Sequence, residues 1–228
     1  MKVPICKRLL LCAALIPPGR RVADIGTDHG YLPIYLLQTG HAPFVTAADL
    51  REQPLAVARA NAAKYGVADR MDFLLSDGLQ KLSPDTATVI VMAGMGGDLM
   101  VRLLQDAPWV CSARHTLILQ PQSAGQALRR YLAENGFCIE REELVQDGRF
   151  LYTVLRATKG AMPPLSPGQE YVSPALLQAG GPLLPQYVAR VVRALRVSVE
   201  GLRKTDRPER LHYYEQALTE LEEMEQRL

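Results

Sequence analysis

Cysteine is scarce in this chain and never paired: Cys6, Cys12, Cys111 and Cys138 are scattered, with no Cys-x-x-Cys and no Cys/His cluster. That spacing argues against a zinc ribbon or a disulfide framework, so free thiols in a reducing compartment and no metal site are expected. Charge of one sign is also lacking. Lys+Arg number 26 against 24 Asp+Glu, a net +2, so a polyanionic partner would have to be met by a local patch. No apolar run approaches the roughly 18–20 residues of a membrane-spanning helix, and no membrane partner is expected. Residues 9–16 are apolar and follow Lys2, Lys7 and Arg8 as in a secretory signal, but no small-residue cleavage site follows and Pro17-Pro18-Gly19 leads straight into a strand-like run. The expectation is a helix over residues 5–16 covering a globular, cytoplasmic protein.

What is present is an alternation of short apolar runs and amphipathic stretches. Residues 21–25, 44–48, 71–75, 88–92 and 116–119 read as strands, and 31–38, 52–65, 97–104 and 126–135 as helices between them. Residues 88–92 are β-branched as far as Val91 and apolar from Val89 on, as suits a central parallel strand. Residues 137–145 and 149–156 flank Gln146-Asp147-Gly148, a hairpin signal. Strand–helix units closed by a hairpin predict a doubly wound α/β sheet, mostly parallel with one antiparallel strand. Residues 158–185 carry Pro163, Pro164, Pro167, Pro174, Pro182 and Pro185 with Gly180-Gly181, and are expected to form a linker or irregular cover. Beyond it, apolar residues at near-heptad spacing on both sides of Asp206-Arg207-Pro208 predict an antiparallel, coiled-coil-like helical hairpin. The division is thus residues 1–158, a linker over 159–185, and a hairpin over 186–228.

Candidate chemistry gathers at the strand ends. Asp24-Ile25-Gly26-Thr27-Asp28-His29-Gly30 follows the first strand; Gly26 permits a sharp turn with close backbone approach, and Gly30 lets the next helix pack tightly. Asp28 replaces a glycine there, and Asp tolerates positive φ better than most side chains. Asp49 ends the second strand, where a carboxylate can accept from both ribose hydroxyls of a nucleoside, and Asp77 ends the third, placed to accept from an adenine amino group. Three acids in register at one carboxyl edge point to a nucleoside-type ligand. The fourth strand runs into Ala93-Gly94-Met95-Gly96-Gly97, which is neither a P-loop nor the Asn/Asp-Pro-Pro-aromatic loop common in enzymes that methylate exocyclic amines. A glycine-rich loop at that point leaves room for a flat base.

VADIGTDHGYLP, SDGL, IVMAGMGG and LILQPQ, in this order and spacing, resemble the bacterial tRNA (adenine-22-N1)-methyltransferase family. The likeness runs along essentially the whole chain, including Gly180–Leu184 ahead of the terminal hairpin. Departures are modest: Asp49 where glutamate is frequent, Gly30 where alanine is frequent, and Gln122 where asparagine is frequent. The resemblance implies a Rossmann-like, seven-stranded class I methyltransferase domain using S-adenosyl-L-methionine, with tRNA as the partner. Its candidate cofactor-binding residues are Asp24, Gly26, Thr27, Gly30, Asp49, Leu50, Asp77, Gly78, Ala93 and Gly94; its candidate substrate residues are His29, Tyr31, Met95, Gly96, Gln120 and Gln122. Methylation at N1 leaves a cationic ring, and Asp28 is the candidate catalytic residue that would stabilise it. His29 serves equally as a helix-start hydrogen bonder, and Tyr31 as a packed residue.

Arg190, Arg193 and Arg196 share one side of the first hairpin helix and offer a phosphate track, whereas the following helix is strongly acidic and admits a plain solvated face. Whether the hairpin grips tRNA, pairs with a second subunit or packs on its own domain stays open, with a monomer favoured over a dimer. A methyltransferase for small molecules or proteins, or a non-catalytic nucleotide-binding scaffold, are the other readings.

Overall fold

The computed structural model describes residues 2–228. The chain opens with α1 (Lys7–Leu15), then β1 (Val22–Ile25), α2 (Tyr31–Gln38), β2 (Val45–Asp49), α3 (Glu52–Lys64) and β3 (Met71–Leu75). The second half runs β4 (Val89–Gly96), α4 (Gly97–Gln105), β5 (Thr116–Ser123), α5 (Gly125–Glu134), β6 (Phe137–Asp147) and β7 (Phe150–Lys159). The chain closes with α6 (Pro167–Tyr171), α7 (Pro174–Ala179), α8 (Leu184–Leu202) and α9 (Pro208–Arg227).

The strands form one seven-stranded sheet in the order β3-β2-β1-β4-β5-β7-β6. β1 to β5 are mutually parallel, and β7 runs antiparallel to both of its neighbours. This is the expected layout. Alternate residues of the central strands feed two cores: Val22, Val89 and Val91 join α1 and α2 on one face, whereas Ala23, Ile90 and Met92 join α4 and α5 on the other. Side chains on successive strand residues point to opposite faces, so strands apolar at every position are what a sheet covered on both sides requires. α1 covers the fold as expected, with Cys12 and Leu15 buried. Strand order reverses between β1 and β4, so the crevice beyond their carboxyl ends is the place an open α/β sheet offers a ligand.

Two segments differ from expectation. The Gly94–Gly96 stretch was predicted as a loop, yet β4 continues through it, paired with β5 across two register shifts. The continuation is held from behind: the Gly94 N–H donates to Gln120 Oε1 at 3.0 Å, a side chain standing in for a ladder carbonyl. The proline-rich stretch expected as irregular cover folds into α6 and α7. Each proline that opens one of these helices sits at the first helical position, where its missing N–H costs nothing, and Ser166 and Ser173 cap the two helices by accepting from Gln169 and Leu176 N–H groups.

α8 and α9 form the expected helical hairpin with its own apolar core, including Val188, Val192, Leu195, Ala217 and Leu221, and with Leu151 of β7. Arg203 pairs with Glu215 and Arg196 with Glu222, both at 2.8 Å, which fixes an antiparallel register. Charged groups tie α6 and α7 to the sheet domain and, through Glu170, to the hairpin. Arg129 of α5 chelates Glu142 of β6, Ser173 donates to the same carboxylate at 2.6 Å, and Arg129 also donates to the Glu170 carbonyl at 3.0 Å. Arg130 of α5 and Tyr213 of α9 both donate to the Glu170 carboxylate at 2.5 Å.

Candidate active site

The turn after β1 builds one wall of the crevice. Asp24 is buried in the strand, and that burial pushes its carboxyl up to about 6; Thr27 pulls against the shift and the Asp49 carboxylate adds to it. Gly26 has φ +75°, a left-handed backbone that favours glycine, and a Cβ there would come within 2.4 Å of Met95 Cε and push that side chain aside. The Gly26 and Thr27 N–H groups both donate to the Ala48 carbonyl, at 2.8 and 3.1 Å, tying the turn to β2. Asp28 is left-handed at φ +49°. Its N–H lies 3.5 Å from Asp49 Oδ2, which leaves its own carboxylate 69 % exposed and 3.6 Å from His29 Nε2. The His29 carbonyl accepts from Asn61 at 2.9 Å, and its ring stacks on Tyr31 with centroids 5.4 Å apart. Asp28, His29 and Tyr31 therefore share one rim. Gly30 serves packing: a Cβ there would meet the Ala58 Cβ at 3.1 Å.

The ends of β2 and β3 make the adjoining wall. Asp49 is buried, and its Oδ1 accepts from the Arg51 N–H at 3.0 Å. Next to it Leu50 is 64 % exposed, and Leu75 at the end of β3 is 41 % exposed. Two bare leucines beside a carboxylate suit a flat heteroaromatic group with a diol attached. Asp77 accepts from Arg102 at 3.3 Å on one oxygen. Gly78 lies against Leu103, whose side chain would stand 2.3 Å from a Cβ placed there. Thr27 Oγ1 is buried beside the Asp24 carboxyl that it pulls down, without a hydrogen bond of good geometry.

The acceptor side lies over β4 and β5. Ala93, Gly94, Met95 and Gly96 are each half-buried along the strand end, and Gly97 touches the Ala124 carbonyl so closely that a Cβ would fall 2.2 Å from it. Gln122 is exposed, with Nε2 3.6 Å from the position of a Gly94 Cβ. Gln120, expected to contact substrate, instead is fully buried, and its amide is taken up by Gly94, Arg8 and the Pro121 carbonyl. Its place is behind the strand, as a support. Arg8 of α1 was missed. Its position in a run of basic and apolar residues carried no signal, because the contact that matters is made 112 positions along the chain.

The arginine stripe of α8 is only partly available. Arg196 is paired with Glu222, and Arg190 donates to the Leu151 carbonyl at 3.1 Å; Arg193 is exposed. Among the described residues no cluster of His, Cys, Asp and Glu could hold a metal ion, and no helix is long and apolar enough to cross a membrane.

The family described as a methyltransferase domain matches residues 5–155. The tRNA (adenine(22)-N(1))-methyltransferase of Bacillus subtilis is 30% identical over 159 residues, covering 70% of this chain and 67% of that protein. A Streptococcus agalactiae structure described as an NADB-Rossmann superfamily protein superposes with a TM-score of 0.87 at 28% identity, covering 99% of both chains. A Streptococcus pneumoniae protein solved in complex with S-adenosyl-L-methionine gives 0.81 at 28% identity, covering 94% of this chain and 99% of that one. With the sheet order, the strand-end acids and the AGMGG strand all in place, the chain belongs to the tRNA (adenine-22-N1)-methyltransferase family of class I methyltransferases.

Proposed function

We propose that this protein transfers a methyl group from S-adenosyl-L-methionine to N1 of adenine 22 in tRNA. The observation that carries the reading is the convergence of Asp24, Asp49 and Asp77 with exposed Leu50 at one sheet edge, directly beside the glycine-rich end of β4. Asp49 would accept from the ribose hydroxyls, Leu50 and Leu75 would flank the adenine, and Asp77 and Gly78 would meet its edge. Asp24, Gly26 and Thr27 would hold the amino-acid end, and Ala93 and Gly94 would border the methyl-bearing end. When bound, the cofactor supplies a methyl group on a cationic sulfur.

The chain's own groups then have little proton chemistry to perform. N1 carries a lone pair, so the protein must align it and exclude water rather than supply a strong base. Gly94, Met95 and Gly96 leave a flat space for the ring, His29 and Tyr31 form a stacked edge beside it, and the Asp28 carboxylate faces the charge that develops. A paired adenine has to leave its stack to reach this depth. Residues 1–158 form the catalytic domain in this reading, and the hairpin contributes to tRNA binding chiefly through Arg193. A tRNA substrate places the protein in the cytoplasm, and one chain carries the whole site.

Asp24 makes cofactor binding pH-dependent. Its raised pKa of about 6 means the free protein holds it neutral at acid pH. For this group, fold stability is fully present below the ordinary carboxyl range and is lost as pH rises through 6. A cationic amino group against it favours the carboxylate, so binding expels a proton. Affinity for S-adenosyl-L-methionine is expected to rise between about pH 5 and about pH 7, below the titration of the ligand's own amine. Calorimetry across that range measures it, and Asp24→Asn should flatten the curve. A wild-type affinity that does not vary with pH would show that Asp24 does not face the ligand's charge.

The proposed function itself is tested by transfer of labelled methyl groups to unmodified tRNA, beside a transcript with guanine at position 22.

A further inference from the structure

Arg8 reaches from α1 across the end of β4. Its Nη1 donates to Gln120 Oε1 at 2.7 Å and lies 3.4 Å from the point a Gly94 Cβ would occupy, while Gln122 Nε2 stands 3.6 Å from the same point. Two donors thus converge above Gly94. The guanidinium carbon sits 5.8 Å from the centre of the Tyr152 ring. Asp147, the acid that approaches, takes the Arg8 backbone N–H at 3.3 Å and so caps the start of α1. Among the described residues no carboxylate pairs with the Arg8 side chain, and the one side-chain hydrogen bond it makes goes to a neutral amide.

A guanidinium without a counter-ion is out of place here. Methylation at N1 makes the acceptor ring a cation, and a second positive charge nearby opposes that step unless an anion lies between or beside them. The protein places Asp28 on the other wall, out of reach of Arg8's hydrogen bonds. The missing anion must therefore arrive with the substrate. An RNA strand brings one on every nucleotide, and a planar guanidinium fork matches phosphate oxygens better than any other side chain. One N–H is spent on Gln120, and no other side-chain hydrogen bond of the Arg8 guanidinium is made among the described residues.

Building on the tRNA reading above, we propose that Arg8, with Gln122 beside it, binds a phosphate of the acceptor nucleotide and so holds the extruded adenine over Gly94. α1 then belongs to the substrate site, pinned to the β6–β7 hairpin by Asp147 and Tyr152.

The test compares wild type, Arg8→Gln and Arg8→Lys, each assayed for cofactor affinity, thermal melting and tRNA methylation over a range of salt. Arg8→Gln should raise KM for tRNA about tenfold to a hundredfold, the loss expected of one charge-assisted contact, and should lower the salt slope of tRNA binding by about one. Cofactor affinity should stay within about twofold of wild type, and Arg8→Lys should restore part of the loss. A tRNA carrying a neutral methylphosphonate on the acceptor nucleotide should cost wild type a similar factor and cost Arg8→Gln little more. Additive losses would place the arginine's partner elsewhere and overturn the proposal. So would an Arg8→Gln protein that methylates with unchanged KM, or one whose cofactor binding and melting temperature collapse together, since Arg8 would then only brace Gln120. If wild type itself fails to methylate tRNA while still binding cofactor, the tRNA reading fails and takes this proposal with it.

Discussion

Asp28→Asn is expected to slow methyl transfer about a hundredfold, the usual scale for removing one preorganised electrostatic partner of a transition state, while leaving cofactor affinity within about threefold. Asparagine keeps the left-handed backbone that Asp28 adopts at φ +49°, because its short amide tolerates that region as aspartate does. The substitution therefore removes charge and little else. In the free protein the carboxylate is mostly exposed, so water screens it; once an adenine covers the rim, the same carboxylate faces a ring acquiring positive charge in a drier space. Single-turnover rates separate this effect from binding. Equal losses in rate and in cofactor affinity would make Asp28 a binding residue, acting through its N–H contact with Asp49.

Arg129→Met should destabilise the fold by about 3–5 kcal/mol, because it strands a buried carboxylate. Arg129 and Glu142 are both essentially inaccessible, and the guanidinium Nε meets both carboxylate oxygens at 3.1 and 3.0 Å. Removing the cation leaves Glu142 with the Ser173 hydroxyl alone. In a chain of this size the loss amounts to about 2–4 °C of Tm per kcal/mol. The double variant Arg129→Met with Glu142→Leu should recover most of the loss, since a buried ion pair replaced by apolar groups of similar volume is often neutral. Urea midpoints measure all three proteins. A single variant within about 1 kcal/mol of wild type would mean that water reaches Glu142. The same network carries the Glu170 carbonyl, so loosening it should also loosen the hairpin that α6 and α7 support.

The strand-end acids were legible because each follows a short apolar run, and a strand's length fixes where its carboxyl end falls. The doubly wound, mostly parallel sheet followed from the alternation of strands and helices, and Gln146-Asp147-Gly148 marked the β6–β7 hairpin. What escaped was decided by side chains far apart in sequence. Nothing in Ala93-Gly94-Met95-Gly96 says that a buried glutamine on the next strand will extend its ladder, and so a strand end was read as a loop. Gln120 looked like a substrate contact for the same reason. The prolines of α6 and α7 read as helix breakers, yet at first helical positions behind serine caps they start helices. The arginines at 190, 193 and 196 do share a helix side, but the acids of α9 fold back on them, so Arg196 is neutralised by Glu222. Arg8 carried no local pattern at all.

The most direct measurement is the labelled-methyl assay on unmodified tRNA with adenine or guanine at position 22, followed by nucleoside analysis of the labelled product. The expected result is label only in the adenine transcript, recovered as 1-methyladenosine, because the site offers alignment and a carboxylate but no Asn/Asp-Pro-Pro-aromatic loop for an exocyclic amine. Label in both transcripts, or recovery as N6-methyladenosine, would contradict it.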